Sequence, residues 1–234
     1  MYILAHLAAG LALGLFAAWF FHDQRWVIPC SLGGILPDLI DKPLGYIILS
    51  IGYGRIYCHT LLLVLVLFAC GALWWKYRRS PVVLALALGV LSHQLLDAMW
   101  EEPKNWFYPF LGPFQSSIPS ADFFWNKFVG ELTSPMEWLM GVVLVLMVLL
   151  LLKRNWVMRM VRIHGQAVKI LILISLLAIS AIGISAVWSG LTGSVSPVTQ
   201  WGDPTNNVIS GLVIIVAAGL LWVWWSLAAV SGAD

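Results

Sequence analysis

The amino-acid sequence predicts an all-α protein, a polytopic transmembrane helical bundle of about seven spans that includes one broken helix. The composition is the first reason, since 61% of the 234 residues are hydrophobic and only 10% are charged, whereas a soluble domain carries about 25% charged residues. The second reason is that apolar stretches close to the ~20 residues needed to cross a bilayer recur along the whole chain. We therefore expect an integral membrane protein that forms a single domain over residues 1–234.

Seven apolar segments follow one another along the chain. The first has no Lys or Arg before its apolar run, as a signal peptide would have, so we interpret it as a retained helix. The second contains three prolines, a Gly pair and three charged residues, so we predict a broken helix that packs against protein or lines a cavity. The last three segments, within residues 134–230, carry no diagnostic motif. The segments lie at residues 2–21, 27–50, 56–75, 81–100, 134–152, 167–189 and 208–230.

The basic residues predict the orientation of the chain. One group lies between the third and fourth segments and another between the fifth and sixth, and the two groups hold eight of the 13 Lys and Arg residues. Two spans separate these groups, so both lie on one side, which the positive-inside rule makes cytoplasmic. We therefore expect the N-terminus outside, the C-terminus in the cytoplasm, and the 101–133 connection outside, in the plasma or inner membrane. The residues are Lys76, Arg78, Arg79, Lys153, Arg154, Arg159, Arg162 and Lys169.

Ionisable side chains recur in the first four segments, although an Asp inside a span costs roughly 2.5–3.5 kcal/mol. In the predicted topology the three histidines of this set lie within about two helical turns, ~10 Å, of the outer surface. If the second segment were re-entrant instead, His6 would lie at the opposite face, which favours a full crossing. The set comprises His6, Asp38, Asp41, Arg55, His59, His93 and Asp97.

The spacing of these residues indicates a shared metal site. His93 and Asp97, at i and i+4, lie on one helix face, the spacing that lets two side chains bind one ion. Asp38 and Asp41, at i and i+3, can do the same if their stretch is helical. Imidazole and carboxylate ligands suit zinc or a related divalent cation. The alternatives are a plain hydrogen bond between His93 and Asp97, and an Asp41 that only marks a break in the apolar run.

Three short motifs carry a resemblance to a known family. The motifs are "LPDLID", an Arg preceding "HT", and "HQLLD" followed by "WFYPF". Over residues 1–115 the chain resembles the YdjM-type membrane-bound metal-dependent hydrolases, which are similar to the zinc-dependent phospholipase C and S1/P1 nuclease fold. The phospholipase pattern also includes a later His-x-x-x-Glu pair and a ligating N-terminal Trp, and this sequence lacks both. The resemblance therefore implies only one or two divalent ions, with zinc expected. The implied metal ligands are His6, Asp38, His59, His93 and Asp97.

The remaining polar residues receive expected roles around this metal. A bound metal lowers the pKa of its water towards ~7, and Asp41 is expected to orient or deprotonate that water if it is not a ligand. Arg55 is expected to hold a phosphate through its planar fork; the alternative is an interfacial arginine that extends towards the headgroups. Glu101, one turn beyond Asp97, is expected to face water. The aromatic stretch "NWFYPFLGPF" either caps the site or forms an interfacial belt.

The sequence thus predicts a membrane-embedded metal-dependent hydrolase that cleaves a phosphate ester of a lipid or amphiphilic substrate near the outer leaflet. The alternative is a non-catalytic transporter or sensor of a metal or of protons. Transport needs polar groups that continue towards the other face, and stretches such as "LLLVLVLFAC" are uniformly apolar, which favours the enzyme. The net charge of +2 does not indicate a nucleic-acid partner, and the sequence makes no prediction of oligomeric state.

Overall fold

A computed structural model of the 234-residue chain describes residues 3–116, 123–152, 154–194 and 204–231. These described residues are mostly helical and contain no β-strand, so the all-α prediction is confirmed for them. They fall into two compact units, Met1–Ser134 and Pro135–Asp234, each of which is described by itself below. The expectation of a single domain stays a prediction.

The described residues of the first unit form six α-helices, which alternate with turns and irregular segments. Helix α2 continues into a wider π-helical stretch, and the irregular residues 49–60 then lead to α3. The helices are α1 (Ile3–Phe21), α2 (Val27–Pro43, followed by the π-helical Leu44–Ile48), α3 (Leu61–Arg78), α4 (Val82–Leu96), α5 (Pro103–Trp106) and α6 (Phe123–Leu132).

Within this unit, helix α1 is far more buried than helix α3. In the apolar window of α1, 56% of the residues are buried, against 11% in α3. Most of the buried residues of α1 are Ala or Gly, and such small residues let neighbouring helices approach closely in a membrane. The exposed Leu and Val side chains of α3 are the apolar surface that a lipid environment covers.

Glycines set the distances between α1, α2 and α4. A Cβ atom added to Gly34 of α2 would lie 2.6 Å from the carbonyl oxygen of His6 in α1. One added to Gly89 of α4 would overlap the carbonyl oxygen of Cys30 in α2. The backbones of these three helices are therefore nearly in contact, and the helices carry His6, Asp38 and His93 into one region.

The prediction that the second apolar segment is broken is wrong for the part that contains Pro29 and Pro37. Helix α2 runs without interruption from Val27 to Pro43. Pro29 lies in the first turn, where backbone N–H groups have no helical partner in any case. Pro37 is inside the helix, and a membrane helix tolerates an internal proline where neighbouring helices pack around it. The irregular backbone comes later, at residues 49–60.

The irregular segment folds back against the end of the π-helical stretch. The N–H groups of Ile51 and Gly52 donate to the carbonyl of Gly45 at 2.9 and 3.2 Å. Helix α3 begins only after Thr60, whose hydroxyl accepts from the N–H of Leu63 at 3.2 Å. His59 therefore precedes the third helix, which starts later than residue 56 because this capping residue defines its first turn.

The second unit is formed by α7 (Pro135–Leu152), α8 (Arg154–Thr192) and α9 (Pro204–Ser231). Helix α8 has 39 residues, so its length is about 58 Å, which exceeds the ~30 Å hydrocarbon thickness of a bilayer. The basic stretch that we expected as a connection is therefore mostly helical. Helices α8 and α9 approach closely where Gly183 lies against Gly211.

Four described helical stretches are long and apolar enough to cross a membrane. Two further apolar helices, Val82–Leu96 and Glu137–Val148, are shorter. The prediction of transmembrane helices is supported, whereas a count of seven is not established by these lengths. The four stretches are Ile3–Phe21, Leu61–Arg78, Lys169–Thr192 and Pro204–Val223.

Candidate metal centre

Four side chains from separate parts of the first unit converge on one point. Asp38 comes from α2, His59 from the turn before α3, His93 from α4, and Asp97 from the residue that follows α4. One donor atom of each lies within 4.8 Å of the donor atoms of the other three. All four residues are buried, the two histidines completely. We call this group the His/Asp cluster.

The end of α4 places two of these residues and leaves Glu101 outside the group. His93 Nε2 and Asp97 Oδ2 are 3.9 Å apart, as expected for i and i+4 on one helix face. Ala98 then adopts a left-handed conformation with φ of 52°, which ends the helix. Glu101 therefore does not continue the face of His93 and Asp97, and it lies exposed.

The Nδ1 atoms of His59 and His93 point away from the cluster, and their hydrogen-bond partners determine the tautomer of each ring. His93 Nδ1 lies 2.7 Å from the carbonyl oxygen of Gly34, and His59 Nδ1 lies 2.7 Å from a carboxylate oxygen of Asp41. These oxygens accept hydrogen bonds, so each Nδ1 carries the proton and each Nε2 of a neutral ring presents a lone pair. The two Nε2 atoms are 3.1 Å apart. Two lone pairs that face each other at this distance repel unless a cation lies between them.

The donor set fits a divalent metal ion. Two nitrogens bound tetrahedrally at 2.0–2.1 Å to one zinc ion are about 3.3 Å apart, close to the 3.1 Å between the Nε2 atoms. Asp38 Oδ1 is 3.7 Å from each Nε2 atom. Two imidazoles and two carboxylates form a donor set that suits zinc and related ions.

Asp41 lies behind His59 and does not face the cluster. Its oxygens accept from the backbone N–H groups of Ile56, Cys58 and His59 at 2.9–3.1 Å, in addition to His59 Nδ1. We expected Asp41 to contact a water on the metal if it is not a ligand. In the structure its carboxylate lies on the side of His59 that faces away from the cluster. A residue three positions after Asp38 points about 60° away on the helix, and residues 56–59 fold over it there. Such a carboxylate orients the histidine that binds a metal.

His6 touches the edge of the cluster. Its ring stacks on that of His93, with centroids 3.8 Å apart, and its Nε2 lies 3.1 Å from Asp97 Oδ1. The residue is fully buried, and its Nδ1 has no hydrogen-bond partner among the described residues. The structure therefore brings His6 to Asp97 but outside the set of four donor atoms, and its predicted role as a ligand stays a prediction.

Arg55 lies on the exposed side of Asp97. Its Nε is 3.0 Å from Asp97 Oδ2, and its Nη1 is 2.5 Å from Glu102 Oε1. The hydroxyl of Tyr53 donates to the other oxygen of Glu102. Burial and this hydrogen bond raise the pKa of Tyr53. Burial alone would lower the pKa of Arg55, but the carboxylates of Asp97 and Glu102 outweigh it and raise that pKa.

Three residues of this region were not singled out as site residues from the sequence. Glu102 holds Arg55, and no periodicity points to it because α4 has already ended. Lys42 Nζ lies 2.9 Å from Asp38 Oδ2, and the i,i+4 spacing of these two residues was the signal for the pair. Gln94, inside the "HQLLD" motif, donates to the carbonyls of Cys58 and Thr60 at 3.0 Å and accepts from the indole of α5 at 2.8 Å.

The fold and the cluster together define a class: a helical membrane protein with a buried group of His and Asp residues that can hold a metal ion. The chain belongs to the YdjM inner membrane protein family, which matches residues 1–189. The resemblance predicted from residues 1–115 is therefore confirmed, and the match extends into α8. No curated protein and no solved structure matches the chain, and the more distant similarity to the phospholipase C and S1/P1 nuclease fold stays a prediction.

Proposed function

We propose that this protein is a membrane-embedded, metal-dependent hydrolase that cleaves a phosphate ester of a lipid or amphiphile near the outer leaflet. The observation that carries the proposal is the convergence of two Nε2 lone pairs and two carboxylates in one buried cluster. Burying two nitrogen lone pairs that face each other, without a cation between them, is costly. Asp38, His59, His93 and Asp97 would hold a divalent ion, with zinc expected, whose charge would offset that of the two carboxylates.

The residues in and around the cluster have separate roles in the proposed hydrolysis. A bound divalent ion supplies Lewis-acid chemistry, in which it activates water and polarises a phosphoryl oxygen. Asp38, His59, His93 and Asp97 hold the ion. Behind them, the hydrogen bonds of Asp41 and Gly34 keep both imidazoles in the tautomer that leaves Nε2 free. His6 fixes the carboxylate of Asp97 from its other side.

Arg55 provides the contact to the anionic group of the substrate. Its guanidinium has a planar fork of donors that matches phosphate oxygens. It is 30% exposed, whereas the four cluster side chains are at most 5% exposed, so it lies between the cluster and the outside. A substrate that approaches from the membrane surface meets Arg55 before it reaches the metal ligands.

Hydrolysis is favoured over transport by where the buried polar side chains lie. In the described part of the first unit, between residues 3 and 116, they belong to the cluster, touch it as His6 does, are its neighbours in the sequence, or lie in α5 beyond the end of α4. We see among them no polar series that leads away along the helices. They are His6, Asp38, Asp41, His59, Thr60, Ser92, His93, Gln94, Asp97 and Asn105.

We further propose that the chain crosses the inner membrane seven times, with the N-terminus outside and the C-terminus in the cytoplasm. The two basic groups, at the C-terminal end of α3 and within residues 153–169, then lie in the cytoplasm. Helix α2 with its π-helical continuation, 22 residues over 27–48, is about 33 Å long, which suffices for a crossing. This topology puts the cluster in the outer half of the membrane.

The test uses the full-length protein in lipid nanodiscs. Elemental analysis is expected to find about one divalent ion per chain, and a panel of phospholipids and isoprenoid phosphates is screened for released phosphate or headgroup. Activity should vanish on dialysis against a chelator and return with zinc. Protein that carries no metal and releases nothing across the panel would contradict the proposal and favour a sensor or transporter.

A further inference from the structure

Two cations stand at the exposed edge of the His/Asp cluster, and each is paired with one of its two carboxylates. Lys42 Nζ lies 2.9 Å from Asp38 Oδ2, and Arg55 Nε lies 3.0 Å from Asp97 Oδ2. The side chains of Lys42 and Arg55 are 27% and 30% exposed, against 5% and 4% for Asp38 and Asp97. The cations therefore separate the buried donor atoms from the outside.

These ion pairs compete with a metal for the same carboxylates. Charged partners that lie close in a partly buried site interact strongly, because the effective dielectric constant is low there. A divalent ion held by the four donor atoms would offset the negative charge of Asp38 and Asp97. The attraction that holds Lys42 and Arg55 on these two residues then weakens.

We propose that Lys42 and Arg55 form an anion-binding pair that turns from the cluster carboxylates to the phosphoryl group of the substrate when a divalent ion is bound. This inference rests on the proposed metal site and adds Lys42 and the exchange of partners to it. The ligand chemistry is a phosphate monoester or a free phosphate dianion. Arg supplies two parallel donors and Lys a compact point charge, a combination that suits such an anion.

The packing keeps both cations near each other after the exchange. A Cβ added to Gly54, the residue before Arg55, would lie 3.2 Å from Lys42 Cγ, so the stem of Lys42 runs beside the backbone that carries Arg55. Glu102 also holds Arg55, through Nη1 at 2.5 Å, and this ion pair does not depend on Asp97. The positive groups therefore remain at the edge of the cluster.

The exchange makes metal and anion binding mutually supportive. An ion that strengthens anion binding by some factor is itself bound more tightly by the same factor when the anion is present. Without metal, an anion must compete with Asp38 and Asp97 for both cations, and it binds weakly. With metal, the two cations and the metal face it together.

The experiment measures inorganic phosphate binding to full-length protein in nanodiscs by calorimetry, with and without one equivalent of zinc. Wild-type protein should bind phosphate at least tenfold more tightly with zinc. Lys42→Met and Arg55→Gln should each lose about tenfold of the affinity of the zinc-loaded protein for phosphate, roughly 1.4 kcal/mol. Their zinc affinity without phosphate should be unchanged or higher, because a competing cation has been removed. Lys76→Met, at the far end of α3, is the matched control.

Dihexanoyl phosphatidate replaces phosphate in a second arm. Tighter binding than that of phosphate identifies a lipid headgroup as the source of the anion, and equal binding identifies free phosphate; both agree with the pair. Variants that bind phosphate like wild type, or that lose zinc affinity in parallel, contradict the inference. Wild-type protein that takes up zinc but binds phosphate equally without it contradicts this inference alone. Protein that takes up no divalent ion contradicts the proposed function as well.

Discussion

His59 and His93 owe their orientation to acceptors that lie away from the cluster. A carboxylate holds Nδ1 of the first ring and a backbone carbonyl holds Nδ1 of the second, both at 2.7 Å. Each ring can then present only Nε2 to its neighbours. The chemistry at this scale is thus decided by Asp41 and Gly34, which do not belong to the four donors, as much as by the donors themselves.

The first prediction concerns the donors of α4. His93→Ala and Asp97→Ala should each lose most of the bound metal, because either change removes one of the four donors. Metal content by elemental analysis of the purified variants is the measurement. Glu101→Ala is the control and should keep its metal, since Glu101 lies exposed beyond the helix end. Full occupancy in Asp97→Ala would show that the site is not the one described.

The second prediction concerns Asp41. Asp41→Asn replaces an acceptor by an amide of equal size, which weakens the bonds to His59 and to the backbone of residues 56–59. We expect zinc affinity to fall roughly 10–100-fold, as is typical when a group that orients a metal-binding histidine is changed. Competition with a fluorescent chelator measures the affinity. Asp23→Asn, at a partly exposed aspartate paired with Arg25, should leave the zinc affinity unchanged; an equal loss in both variants would mean that the effect is unspecific.

At the scale of helices, the cluster depends on how closely α2 and α4 approach. Gly33 and Gly89 face each other there, and a Cβ on either residue would overlap backbone atoms of the other helix. Side chains that project from two helices meet within hydrogen-bond distance only if the separation of the axes is right. The position of Asp38 relative to His93 is therefore decided by glycines that carry no chemistry.

The third prediction follows from this contact. Gly89→Ala should push α4 away from α2, lower the stability by about 1–3 kcal/mol as overpacking does, and weaken zinc binding. Thermal unfolding and zinc titration in nanodiscs measure the two effects. Gly219→Ala in α9 is matched, because no atom of the described residues, apart from the adjacent backbone of its own helix, lies within 4 Å of its added Cβ, and it should raise stability by about 0.5–1 kcal/mol. Gly89→Ala protein that behaves like this control would refute the role of the contact.

At the scale of the whole chain, the distribution of basic residues determines the proposed orientation. Eight of the 13 Lys and Arg residues lie either in the last turn of α3 and directly after it or within residues 153–169, most of which belong to α8. The aromatic stretch after α4 is then outside, where its exposed Phe110 and Leu111 meet the membrane interface. In the proposed orientation, the proposed substrate in the outer leaflet would reach the cluster from the side where Lys42 and Arg55 lie.

The fourth prediction tests this orientation. Fusions of a paired cytoplasmic and periplasmic reporter after residues 78, 120, 160 and 200 should read inside, outside, inside and outside. The physical reason is that connections rich in Lys and Arg stay on the cytoplasmic side of the membrane. A fusion after residue 120 that reads inside would place the cluster at the cytoplasmic face, and the substrate would then have to come from the inner leaflet.

The sequence by itself determined the membrane class, the approximate position of the helices, the family, and the residues Asp38, His59, His93 and Asp97 that the structure brings together. Apolar length, charge asymmetry and helical spacing are local properties, so they can be read without coordinates. Only the tertiary structure decided that Asp41 lies behind His59, that His6 touches Asp97 outside the four donors, and that Glu102 and Lys42 flank the site. Periodicity specifies which residues share one helix face, whereas the rotation of helices about one another and the path of residues 49–60 depend on packing between distant segments.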